Sequence, residues 1–132
     1  MTAALALPAP PAVREPWYAA VDLVADDTAP VLARDWVDAC ATAAGVAPQH
    51  RPAVRRVATE LAREAALRAG TGDLVRVEID VVGPVVRLSA RGPAGTQRLG
   101  SRAVEALRAA VEWGVQRAPG STRVVWCHVE VA

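Results

Sequence analysis

The sequence predicts an α+β two-layer sandwich, with about three helices packed on one face of a mixed, mostly antiparallel sheet. Three observations predict it. LVRVEIDV at 74 to 81 alternates strictly, Val75, Val77, Ile79 and Val81 against Arg76, Glu78 and Asp80, as a strand with one buried face must. Residues 50 to 69 instead repeat at the helical period, with Val54, Val57, Ala58, Leu61 and Ala65 on one face. The segments follow one another as strand, two helices, two strands, helix, strand, an order that suits helices laid over one sheet.

Taken in order, residues 1 to 16 hold four of the ten prolines among alanines and read as a flexible arm, leaving 17 to 132 as one domain. WYAAVDLVA, 17 to 25, lies between Pro16 and the Asp26-Asp27-Thr28 turn signal and reads as an edge strand. Asp27 or Thr28 caps the next helix, Pro30 suits its first turn, and Val31, Leu32, Asp35, Trp36, Ala39 and Cys40 form its stripe up to Gly45. The helix over 50 to 69 ends at Gly70 as its C-cap. Gly83-Pro84 turns LVRVEIDV into VVRLSA, 85 to 90, as an antiparallel hairpin with one wet face. A third helix over about 101 to 116 points Val104, Leu107, Val111 and Val115 at the core. TRVVWCHVEV, 122 to 131, is the last strand, beside the hairpin, with Val124, Trp126, His128 and Glu130 facing away from the inferred core.

Composition excludes several functions. Fifteen basic and fourteen acidic residues give a net charge of +1, too little field to attract nucleic acid or an anionic membrane. Every basic residue is Arg, and the chain has no Lys and no Asn, which excludes a lysine phosphate loop, a Schiff base and any asparagine-dependent site. Cys40 and Cys127 are far apart, with only His50 and His128 beside them in the ligand inventory, so zinc is not expected and two buried thiols are. No apolar run reaches the ~20 residues of a membrane span. The opening MTAALAL lacks a basic region before it, which argues against a signal peptide and for a cytoplasmic protein. Ser89, Ser101 and Ser121 lack a nucleophile elbow.

The wording of four segments goes further: ELAREA at 60 to 65, SARGP at 89 to 93, WGV at 113 to 115 and STRVVW at 121 to 126. In this order they resemble the small ATP-binding domains of the GHKL, or Bergerat-fold, superfamily, most closely the anti-sigma-factor serine kinases of actinobacteria, over about residues 20 to 132. That family writes the helix as E-L-V-T-N-A, the hairpin end as D-x-G, and the close as W-G-V, a turn and T-x-V-W. The resemblance implies a general base at Glu60, a magnesium position at Glu64 in place of asparagine, an adenine-reading position at Ala90 in place of aspartate, and phosphate-loop glycines at Gly92 and Gly100. Ala90 has no acceptor for adenine, Glu64 adds charge beside a triphosphate, and Arg91 to Gly100, including Gly95, is shorter than the family's lid.

These departures imply a vestigial ATP site, with Glu60 and Glu64 behaving as helix-surface charges paired to Arg56, Arg63 and Arg68 at helical spacing. The expected function is a non-catalytic regulatory module that binds a sigma factor, a STAS-type regulator or a second copy of itself, with no cofactor. Trp126, Val124 and Trp17 are the expected interaction residues, whereas Trp36 and Trp113 are expected in the core. The alternative is an ATP-dependent protein-serine kinase with an altered pocket, using Glu60 as base and Glu64 on magnesium. A small-ligand sensor contacting Arg91, Arg98 and His50 comes third.

Overall fold

Alternating and helical patterns segregate here into two layers. The computed structural model describes residues 15–94 and 98–131. Strand β1 (Trp17–Val24) leads into helix α1 (Ala29–Ala43), a short 3-10 turn (Pro48–His50) and helix α2 (Arg51–Leu67). Strands β2 (Leu74–Val82) and β3 (Val85–Pro93) follow, then helix α3 (Ser101–Leu107) and strands β4 (Glu112–Ala118) and β5 (Thr122–Glu130). The sheet order is β1-β2-β3-β5-β4, and each neighbouring pair is antiparallel. The architecture is the predicted α+β sandwich, with β1 at an edge and β5 beside the hairpin, but the sheet is wholly antiparallel rather than mixed. An additional strand, β4, accounts for the difference: it lets β5 return beside β3 through a hairpin instead of a crossover.

That strand overturns the helix expected over 101 to 116. Helix α3 stops at Leu107, and the Val111 N–H donates to the His128 carbonyl at 2.9 Å. Helical periodicity and strand alternation compete in VEWGVQ, where Gly114 weakens the helix and pairing with β5 decides. Leu107 is buried as expected, while Val104, Val111, Trp113 and Val115 are exposed rather than core.

Helix α1 is rotated from its expected stripe. It buries Ala29, Pro30, Ala33, Val37, Cys40 and Ala41, and leaves Val31 and Leu32 in water. Small side chains at Ala33, Val37 and Ala41 allow α1 to lie close against α2, and that approach outweighs the larger apolar stripe. Thr28 occupies the N-cap, but it is the Asp26 carboxylate that accepts the Thr28 N–H, at 2.8 Å, and the Thr28 hydroxyl holds the Asp26 carboxyl below its usual range. Helix α2 buries Val54, Val57, Ala58, Leu61 and Ala65 as predicted. Its C-cap is Arg68 rather than Gly70, whereas Gly45 past α1 and Gly83 in the hairpin turn do take left-handed φ angles. Ile79, Leu88, Val75, Val81 and Cys127 fill the core between α2 and the sheet, and Trp36 packs at its margin. No described helix is long and apolar enough to cross a membrane.

Among the described residues, the other face of the sheet carries no helix. Trp126 lies there across Gly114 of β4, in contact with the His128 ring at a centroid distance of 5.0 Å. A methyl group on Gly114 would meet the Trp126 ring at 2.7 Å. We therefore expect Gly114→Ala to push the indole off the sheet, at a cost of about 1–3 kcal/mol from overpacking. A red-shifted tryptophan emission together with a lower urea midpoint would show it, and an unchanged spectrum would refute it.

Candidate functional site

The expected positions converge on one end of α2. Leucine and alanine spacing turns one face of this helix into the core, which places Glu60 and Glu64 one turn apart toward α3. Gly92 of β3 passes so close to α2 that a Cβ there would lie 3.2 Å from the Ala65 methyl and 3.4 Å from its carbonyl oxygen. Gly100, ahead of α3, sits against the Glu64 carboxylate. Ala90 is buried at 2% exposure, in register with Val77 and Val125. The structure thus brings Glu60, Glu64, Gly92 and Gly100 together and seals Ala90 beneath them. Gly95 and most of the proline-rich arm lie outside the described residues.

The chemistry at Glu64 differs from the expected surface charge. Its side chain is only 8% exposed, and its carboxylate is enclosed by the guanidinium of Arg68 and, at 3.8 Å, that of Arg123 from β5. The Gly100 N–H donates to the same Oε1 at 3.2 Å. Arg68 in turn donates through Nη2 to the Arg98 carbonyl at 2.7 Å. Burial pushes the Arg123 guanidinium below its usual value, the nearby Arg68 charge adds to that, and Glu64 opposes both. Sequence reasoning missed Arg123 altogether. The available signal was an arginine at an inward position of an alternating strand, TRVVWCHV, where a charge needs a buried partner.

Glu60 is the more accessible of the pair. Its carboxylate lies 3.3 Å from Arg63 and 3.4 Å from Arg102, above a groove shared with Arg56, Ser101 and Glu105. Both of its oxygens are thus already engaged by guanidinia of the chain itself. Among the described residues there is no cluster of three or more metal-ligating side chains.

The expected interaction residues divide between faces. Trp126 and Val124 are half-buried on the open face, with Arg87, Ser89, Gln116 and His128 around them. Trp17 lies on the opposite, helix-side face, paired with the buried Val81 and packed against the core margin. The rest of the open face is a charge lattice: Arg76 pairs with Asp22 and Glu78, Tyr18 donates to Glu78 at 3.1 Å, and Arg87 pairs with Asp80. Burial alone would raise the Glu78 carboxyl, but the Arg76 and Tyr18 hydrogen bonds outweigh it and hold the group below its ordinary value. Both thiols are buried and unbridged, and desolvation pushes Cys127 up to about 12, which removes it as a nucleophile. No family model matches the chain, and no curated protein matches its sequence.

Proposed function

We propose that the chain is a non-catalytic regulatory module that acts in the cytoplasm by binding protein, in the manner of an anti-sigma factor that has lost its nucleotide. The observation that carries this reading is the state of Glu64. The position that the resemblance assigns to magnesium and the triphosphate is filled by the chain's own Arg68 and Arg123, with the Gly100 N–H completing the cage. A cation and its phosphates would have to displace two buried guanidinia already paired to that carboxylate. The burial of Ala90 and the close Gly92–Ala65 packing support the loss of a purine site. The open face with Trp126 and Val124 is the surface we assign to a sigma factor or a STAS-type regulator, because an indole beside pairable charges provides both area and orientation. The two buried, unbridged thiols support a reducing compartment.

The test is thermal melting with magnesium and ATP at millimolar concentration. A ligand at 100 times its Kd would add about 2.7 kcal/mol to the folded state; because the module binds no nucleotide on this reading, a flat melting temperature is expected. A saturable rise would overturn the reading. With a sigma factor or STAS protein that binds, Trp126→Ala should weaken the complex while leaving the circular dichroism spectrum of the free chain unchanged.

A further inference from the structure

Among the described residues, strand β4 ends the sheet with an edge that the helix layer does not cover. Its inward residues Trp113 and Val115 share a face with Cys127 and Val125, which are buried, yet they are 43% and 45% exposed, and Val111 just before them is 64% exposed. An apolar stripe therefore leaves the core and stops in water at the rim. The edge also lacks the usual guards, since EWGVQRA contains no proline and its charges, Glu112 and Arg117, stand near its ends.

We propose that β4 pairs antiparallel with β4 of a second copy of this chain, about a two-fold axis through Val115, to form one continuous ten-stranded sheet. The strand is seven residues long and Val115 is its centre, so this register overlaps all of it. It sets Val115 opposite its own copy and Trp113 opposite Arg117 of the second copy, on the helix side, twice by symmetry. Within one chain Arg117 stands opposite Arg123, a like charge that lowers the Arg123 pKa. The facing indole supplies the attraction that its own sheet withholds, as a cation–π contact. A shift of two residues either way separates Trp113 from Arg117, and an unrelated strand would not carry both groups at matching ends. The axis runs perpendicular to the sheet, so both helix layers lie on one side and both Trp126 faces stay open on the other. This association goes beyond the proposed function and holds whether or not nucleotide binds.

Sedimentation velocity on the full chain should show a concentration-dependent species of twice the 13.8 kDa chain mass. Val115→Arg, which sets two guanidinia against each other on the axis, should abolish it with an unchanged circular dichroism spectrum, and Ala20→Arg on the opposite edge should not. A second measurement is independent of that variant's folding: Val115→Cys should form an interchain disulfide under mild oxidation, and Ala118→Cys should not, because Cα atoms more than about 7 Å apart do not bridge. The native Cys40 and Cys127 are buried and do not compete. A chain that stays monomeric, a dimer that survives Val115→Arg, or equal cross-linking at both positions would overturn the proposal.

Discussion

Glu64→Ala is expected to destabilise the domain by about 3–5 kcal/mol, the cost of breaking a buried ion pair from one side. The side chains of Glu64, Arg68 and Arg123 are 8%, 9% and 9% exposed, so removing the carboxylate leaves two guanidinia facing each other away from water. The Gly100 N–H loses its acceptor at the same time. Urea denaturation would measure this as a lower midpoint at unchanged slope. Glu64→Gln separates the terms, since an amide oxygen can still accept from Gly100 but carries no charge, and it should fall between wild type and alanine. Were Glu64 an ordinary helix-surface charge, the alanine variant would lie within about 0.5 kcal/mol of wild type, and the internal-cage reading would fail.

This difference between surface pair and buried cage marks how far the sequence was legible. The i, i+4 spacing of Glu64 and Arg68 was visible, and so was a helix face formed by Val54, Val57, Ala58, Leu61 and Ala65. What spacing along α2 does not reveal is that β5 arrives from 59 residues away with Arg123 to close the group, because only the sheet order brings them together. The same limit explains β4. Residues 101 to 116 carry a helical period, and the alternative pairing with β5 becomes the better structure only once β5 occupies its place beside β3. On α1 the failure had another cause. A stripe drawn through the largest apolar residues, Val31 and Leu32, lost to one of small residues, because close helix approach rewards Ala33 and Ala41. Strict alternation, by contrast, was decisive: β2 and β3 stand where LVRVEIDV and VVRLSA placed them, and β3 runs on to Pro93.

Ala90→Asp restores the acceptor that the resemblance associates with adenine, and it is expected to damage the fold rather than rebuild a site. Ala90 is 2% exposed, between Val77 and Val125, and nothing cationic faces it in the register. A carboxylate there must either ionise in an apolar setting or hold its proton, and full burial raises such a pKa by about 3–5 units. At about 1.4 kcal/mol per unit, that is a loss of about 4 kcal/mol or more at neutral pH. The sign is fixed by linkage. The unfolded chain releases the proton near pH ~4 while the folded chain retains it, so between that point and the raised folded value the folded state binds more protons. The variant's stability relative to wild type should therefore fall by about 1.4 kcal/mol per pH unit as pH rises from ~4 to ~7, and level off below ~4. Melting both proteins across that range isolates the term, because every other titrating group is shared. A pH-independent difference would mean that the new side chain reaches water. A variant that melts near wild type and rises further with magnesium and ATP would mean that a purine pocket lies open above Ala90, and the proposed loss of the nucleotide site would be wrong.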